Sequence, residues 1–237
     1  GNATSRLNDT WNSTISYNGA VVATRNPAFN NTYGYDADIF ELPNAGNVNL
    51  GNNRTSATVR FNTSVETYHL QVITTSISNF NPTYTFQKTA TDINGGAFLP
   101  GDSLLYRIRY SNRGNDSSTN TIILDNLPSG TAYIPGSIKI GTTTKTDVSS
   151  DDEAEYDFTN NRILFRLGVG ANSAVGGRVG PGVIDSVEFK VMSPSSCQIV
   201  SCVGSLRNSA RINYGGKLSG GVFFDSSGVT IAGCIVQ

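Results

Sequence analysis

Three polar side chains, Lys88, Asp125 and Asn208, lie on strand-like segments whose inward face is otherwise apolar. In a strand, every second side chain points to the same face of the sheet. Lys88 therefore shares a face with Tyr84 and Phe86, and Asp125 shares one with Ile123 and Leu127. Asn208 shares a face with Leu206, Ala210 and Ile212. An amine, a carboxyl and an amide that face a core are costly unless they meet. If they meet, the carboxyl can transfer protons while a neutral lysine attacks the asparagine amide. The product would be an intramolecular isopeptide crosslink, with ammonia released.

The same three residues have ordinary structural interpretations, which stay open at the level of sequence. Lys88 can extend to solvent at a strand end, Asn208 can cap a turn, and Asp125 can begin the Asn-Leu-Pro turn. Glu188 is a second candidate for the proton-transferring carboxyl. Burial favours the crosslinking chemistry, because it raises the pKa of a carboxylic acid and lowers the pKa of lysine.

A second group of candidate residues is acidic and lies in an expected loop. Between Asp147 and Asp157 the chain carries six carboxylates in a short run. Calcium prefers six to eight oxygen ligands from carboxylates, carbonyls and water, and an acidic loop can supply them. The run predicts a calcium site formed chiefly by Asp147, Asp151 and Asp152, without the EF-hand pattern. The alternative is a solvated acidic loop with no metal.

The three cysteines indicate an oxidising compartment. Cys197 and Cys202 are separated by four residues in a loop rich in serine, a spacing that is compatible with a small disulfide. Free thiols in a reducing compartment are the alternative. Cys234 has no assigned partner: it can pair outside this segment or replace one member of the closer pair. The single histidine, His69, argues against a zinc site.

Composition and motifs exclude several functional classes. The formal net charge is −1, and no cluster of basic residues with interleaved aromatics predicts a nucleic-acid partner. No apolar run is long enough to span a membrane. With one histidine and no nucleophile motif, we expect no enzyme activity on foreign substrates. The polar, β-rich composition suits a mature fragment of an exported protein, either secreted or on the cell surface.

The segments that must position these residues are strands. The chain has 237 residues with 38% hydrophobic and 15% charged content, frequent β-branched residues and no sustained 3.6-residue period, so we expect an all-β protein. A connector with Pro82 divides it into two β-sandwich-like units, 1–82 and 83–237. The predicted strands of the first unit are 14–23, 36–42, 56–62 and 69–77. Those of the second are 83–89, 103–111, 119–125, 137–141, 162–167, 184–192, 206–214 and 221–229.

An ordered run of motifs in the second unit is similar to one known family. The motifs are Lys88-Thr-Ala-Thr-Asp92, Leu99-Pro-Gly-Asp102, Tyr106-Arg-Ile108, Ser111-Asn-Arg-Gly-Asn115, Leu124-Asp-Asn-Leu-Pro-Ser-Gly-Thr131 and Arg207-Asn-Ser-Ala210. Over about residues 84–215 they resemble the domain-of-unknown-function-eleven repeat of bacterial surface proteins. The resemblance implies immunoglobulin-like sandwiches, often in tandem within large cell-surface or secreted proteins. It implies no particular ligand.

Two classes of function are compatible with these features. The first is a structural or adhesive module of a bacterial surface protein, joined to adjacent domains and directed at an unidentified glycan or protein ligand. The second is a carbohydrate-binding module of a secreted protein. Sugar binding uses exposed aromatic side chains, and the candidates in the first unit are Trp11, Tyr17, Tyr33, Tyr35 and Tyr68.

Overall fold

The computed structural model describes residues 10–51, 54–65, 67–96, 98–193 and 205–232. The chain divides into two compact units, Gly1–Tyr68 and His69–Gln237. The first strand of the second unit's sandwich begins at Tyr84. The division between the two units falls after Tyr68, while the sandwich begins just after residue 82. The predicted domain boundary near residue 82 stays a prediction.

The described part of the first unit contains one small sheet. Strand β1 (Ile15–Tyr17) pairs antiparallel with β2 (Ala20–Val21) and parallel with β3 (Ala37–Ile39). A single 3₁₀ turn follows at Ala45–Asn47. The described residues within 56–62 and 69–77 form no strand, although their sequence alternates. Alternation alone is insufficient there, because a strand is stable only when a neighbour pairs with its backbone and its apolar face is covered.

The second unit is a sandwich of two antiparallel sheets. Its strands are β4 (Tyr84–Asp92), β5 (Ser103–Asn112), β6 (Ser118–Asn126), β7 (Ala132–Tyr133), β8 (Lys139–Ile140), β9 (Thr143–Thr144), β10 (Ala154–Asp157), β11 (Arg162–Leu167), β12 (Ile184–Met192), β13 (Ser205–Gly216) and β14 (Val222–Ala232). One sheet has the order β4-β5-β12-β8-β9, with β7 also paired to β12. The facing sheet has the order β10-β11-β6-β13-β14.

The core lies between these two sheets and follows from period-2 alternation. In β5, Tyr106, Ile108 and Tyr110 are buried while Arg107 and Arg109 point outward. In the facing sheet, Ile123 of β6 is fully buried in the same core. Sandwich cores form in this way, since only alternate residues of each strand are buried. The all-β class and the immunoglobulin-like sandwich expected for the second half are confirmed. No helix among the described residues is long and apolar enough to cross a bilayer.

Candidate intramolecular crosslinking site

Lys88 points into the core from β4, an edge strand of its sheet. Its side chain is fully buried, and its ammonium nitrogen lies 4.5 Å from the ring centroid of Tyr106 and 5.0 Å from that of Phe189. The backbone N–H of Lys88 donates to Ser227 Oγ on β14 at 3.0 Å, which holds β4 against the facing sheet. The predicted inward direction of Lys88 is confirmed, and the alternative in which it extends to solvent is wrong.

Asp125 lies on β6, the central strand of the facing sheet. Its neighbours across the strand pairs are Ile163 on β11 and Ala210 on β13. The residue is fully buried, and one carboxylate oxygen, Oδ2, accepts a hydrogen bond from Lys88 Nζ in a buried ion pair. The pair connects the two sheets, because its members belong to different ones.

Asn208 lies on β13, two residues before the strand partner of Asp125 and on the same inward face. It is 2% exposed, and within the described ranges neither polar atom of its side chain forms a hydrogen bond of ordinary geometry. The amide is nevertheless close enough to Asp125 and Tyr106 to lower the pKa of both groups. The structure therefore brings the three predicted residues into one buried cluster, which we call the Lys-Asp-Asn cluster (Lys88, Asp125 and Asn208).

Burial dominates the electrostatics of this cluster. Desolvation raises the pKa of Asp125 to about 6, although the charge and hydrogen bond of Lys88 and the nearby Asn208 amide oppose it. Desolvation also lowers the pKa of Lys88, against the opposing attraction of Asp125. Both shifts favour transfer of the proton from the ammonium to the carboxylate. An uncharged amine beside a protonated carboxyl is the state that nucleophilic attack on an amide requires.

Glu188, the second candidate for the proton-transferring carboxyl, lies outside the cluster. It is paired in register with Arg107 on β5 and accepts a hydrogen bond from Arg107 Nε at 2.5 Å. The inward positions of β12 at this point are its neighbours Val187 and Phe189, which are fully buried. The period of two thus places the Glu188 carboxylate on the outer face.

Tyr106 is a member of the site that the sequence interpretation assigned only to the core. The residue is fully buried and its ring lies beneath the Lys88 amine. Its hydroxyl has no hydrogen-bond partner among the residues described, and the phenol pKa is raised by burial and by the charge of Asp125. One sequence signal was available, because an inward-facing tyrosine normally requires a partner for its hydroxyl.

The three acidic residues of the predicted calcium site hold their own loop together. Asp147 accepts hydrogen bonds from Tyr133 Oη at 2.5 Å and from the N–H of Gly136 at 2.7 Å. Asp151 and Asp152 both bind Thr146, through its hydroxyl and its backbone N–H respectively.

No group of three or more His, Cys, Asp or Glu side chains in the described segments is arranged to hold a metal ion. The calcium site stays a prediction, and thermal unfolding with and without a chelator tests it. Cys197, Cys202 and Cys234 lie outside the described residues, so the disulfide also stays a prediction.

Comparisons with known proteins give similarity of fold only. No family model matches the sequence, and a comparison with curated proteins gives no match. The resemblance to the surface-protein repeat therefore stays a prediction.

Three of the similar solved structures come from bacterial surface proteins. The full-length major pilin SpaD from Corynebacterium diphtheriae is 16% identical with a TM-score of 0.45, over 63% of this chain and 34% of that one. The major pilin subunit BcpA of Bacillus cereus is 12% identical with a TM-score of 0.41, over 64% of this chain and 40% of that one. The collagen-binding subdomain ACE19 of the Enterococcus faecalis surface protein ACE is 13% identical with a TM-score of 0.40, over 65% of this chain and 99% of that one.

This chain thus spans well under half of either pilin. At these identities and scores the likeness carries no argument about function.

Proposed function

We propose that this chain is a structural or adhesive module of a secreted or cell-surface bacterial protein, which crosslinks itself through an isopeptide bond between Lys88 and Asn208. The observation that carries the proposal is the fully buried Lys88–Asp125 ion pair beside a buried amide whose polar atoms form no ordinary hydrogen bond. Membership of the domain-of-unknown-function-eleven family is part of the same proposal. The module acts on itself and on no foreign substrate.

The reaction exchanges one amide for another and needs no co-reactant. Asp125 takes a proton from the Lys88 ammonium, and the Nζ lone pair attacks Cγ of Asn208. Nδ2 takes the second Nζ proton and the carboxyl proton of Asp125, and it leaves as ammonia in its protonated form, ammonium. A bond between Nζ and Cγ has then formed and the bond between Cγ and Nδ2 has broken. Asp125 returns to the protonation state in which it began, so it acts as an acid–base catalyst.

A closed, apolar environment favours this exchange over hydrolysis. The cluster lies between two sheets among Tyr106, Phe189 and Ile123, all of them fully buried. Excluding water removes the competing nucleophile and strengthens the electrostatic interactions of the reacting groups. Holding the amine and the amide in one buried cluster also makes the attack effectively unimolecular.

The bond would stabilise the module mainly by restricting the unfolded chain. It would join an early strand to a late one, and the loop between them contains most of the second unit. By the loop-entropy argument used for disulfides, closing a loop of this size is worth roughly 4–5 kcal/mol. Unlike a disulfide, the bond would survive reduction and would resist a pulling force along the chain.

Carbohydrate binding is the second candidate function, and exposed tyrosines in the first unit favour it. Tyr17, Tyr33 and Tyr35 are 58%, 93% and 55% exposed. Trp11 and Tyr68 are less exposed, at 38% each, and lie near Phe61, with ring centroids 6.1 and 6.4 Å from it. A glycan array probed with the whole chain, and with Tyr33→Ala as the variant, tests this function. Equal glycan-array signals from both proteins would exclude Tyr33 as a sugar-binding residue.

Intact-mass measurement under reducing conditions tests the crosslink directly. The wild type should be lighter than its sequence mass by one ammonia, whereas Asp125→Ala and Asn208→Ala should each have their full sequence mass. A fragment mass spectrum should contain a branched peptide that includes both Lys88 and Asn208. A wild-type mass equal to the sequence value would overturn the proposal and leave a sandwich without covalent chemistry.

A further inference from the structure

Four buried polar atoms near the Lys88–Asp125 ion pair have no hydrogen-bond partner among the described residues. They are Asp125 Oδ1, both polar atoms of the Asn208 amide, and Tyr106 Oη. Each belongs to a residue that is at most 2% exposed. A buried polar group without a partner costs about 1–3 kcal/mol, so four of them together require an explanation.

These four atoms are chemically complementary. The amide nitrogen of Asn208 is a donor and Asp125 Oδ1 is an acceptor, while the amide oxygen is an acceptor and the Tyr106 hydroxyl can donate to it. The Asn208 amide lies near both partners, since it lowers the pKa of Asp125 and of Tyr106, so a reoriented amide could pair with both. The amide nitrogen would then face the acid that receives and returns protons. The amide oxygen would face the phenol.

We propose that Tyr106 is a catalytic residue of the crosslinking reaction: its ring holds the Lys88 amine, and its hydroxyl donates a hydrogen bond to the Asn208 amide oxygen as negative charge develops there. This inference rests on the proposed Lys88–Asn208 bond and adds the group that stabilises the tetrahedral intermediate. During attack, the electron pair of the carbonyl π bond moves to that oxygen. It returns when ammonia leaves, so the hydroxyl keeps its proton throughout.

The position of Tyr106 fits both roles. It lies on β5, two residues from Ile108, which is the register partner of Lys88, and therefore shares the inward face of that pair. The amine is 4.5 Å from the ring centroid, within the range of a cation–π contact. Burial and the neighbouring Asp125 charge raise the phenol pKa above its ordinary value of 10, so the hydroxyl is protonated at neutral pH.

If position 106 served only to fill the core, phenylalanine would be expected there and not tyrosine. Phenylalanine would fill the same space between Phe189 and Lys88 without burying a hydroxyl that lacks a partner. Tyr84, another tyrosine of this core, behaves as expected for a structural residue, because its Oη pairs with Ser118 Oγ at 2.7 Å. Tyr84→Phe is therefore a matched control, since it removes a buried hydroxyl outside the cluster.

The test measures the rate of ammonia loss by intact mass after a pulse of cell-free synthesis of the full chain. Wild type, Tyr106→Phe and Tyr84→Phe are compared at several pH values. Removing one oxyanion donor typically slows catalysis by about 10²–10³-fold. We expect Tyr106→Phe to slow crosslinking by about 100-fold, and by the same factor at every pH, because the phenol does not titrate. Tyr84→Phe should crosslink at the wild-type rate.

The outcomes separate this inference from the proposed crosslink. If the wild type loses ammonia and Tyr106→Phe does so equally fast, the role of Tyr106 is overturned while the bond stands. If the slowing changes with pH, the hydroxyl acts through the Lys88 and Asp125 pKa values, and the oxyanion role is overturned. If the wild type never loses ammonia, both proposals fail. Thermal unfolding of Tyr106→Phe in the Asp125→Ala background, where no bond forms, measures any structural cost separately.

Discussion

The Lys88 ammonium is out of contact with water, so its charge is tolerated chiefly through Asp125. Asp125→Ala and Asn208→Ala should both lack the crosslink, but only the first leaves a buried charge without its partner. We expect Asp125→Ala to be less stable than Asn208→Ala by roughly 3–5 kcal/mol in urea unfolding. Adding Lys88→Met to Asp125→Ala should recover most of this loss. Equal stability of the two single variants would contradict the prediction.

The raised pKa of Asp125 predicts a specific dependence on pH. Asn208→Ala should keep the ion pair without the bond, and in it Asp125 should titrate at or above pH 6, because the amide that lowers its pKa is gone; the ordinary value is 3.8. Because the folded-state pKa is the higher one, the carboxyl contributes stability below about pH 4 and loses it as the pH rises through 6. Carbon-13 NMR of the labelled carboxyl measures this titration. A midpoint at or below 4 would show that attraction to Lys88 outweighs desolvation.

The residues of the site were predictable from sequence wherever the period of two governs direction. That period placed Lys88, Asp125 and Asn208 inward, and applied to β12 it also places Glu188 outward. It could not show that Tyr106 lies close to Asp125 and Asn208, because that proximity depends on how the two sheets pack. Distance across a sandwich is a tertiary property, and no local pattern encodes it.

At the level of elements, one buried carboxylate holds the β13–β14 hairpin. Asp116 is 2% exposed, and its Oδ2 accepts hydrogen bonds from the N–H groups of Leu218 at 2.8 Å and Ser219 at 3.3 Å. Asp116→Ala should cost roughly 1–3 kcal/mol, since it removes the charged acceptor of two backbone N–H groups. Hydrogen exchange at residues 217–220 should accelerate.

Asp151→Ala is the control for this prediction. Asp151 is exposed and accepts from the Thr146 hydroxyl. Its loss should change stability by no more than about 0.5 kcal/mol in the absence of calcium. Similar costs for the two variants would mean that the Asp116 contacts add nothing to the hairpin.

The long strands were predictable and the short ones were not. The predicted strands at 162–167 and 184–192 coincide with β11 and β12. Strands β7 and β9 have two residues each, too few for an alternating pattern, and their pairing with longer neighbours defines them. In the first half, alternation over 56–62 had no partner strand among the residues that the structure describes. The period-2 alternation of a sequence therefore predicts a strand well only where neighbouring strands can pair with it.

At the level of the whole molecule, the crosslink should change the shape of the unfolded chain. A bond between Lys88 and Asn208 closes a large loop that denaturant and reductant leave intact. We expect the wild type to migrate faster than Asn208→Ala on a reducing denaturing gel, because a looped chain is more compact. Heating before loading should not remove the difference. Identical migration of the two proteins would contradict the prediction.

The placement of Lys88 on one sheet, and of Asp125 and Asn208 on the other, also fixes the order of events. The amine and the amide meet only after both sheets have formed and closed over their core. The proposed covalent step could therefore not precede folding, and a misfolded chain would keep its ammonia. Each crosslinked molecule would thus carry a permanent chemical record that it once reached the native state. In a chain of such modules, a single mass measurement would count how many had folded.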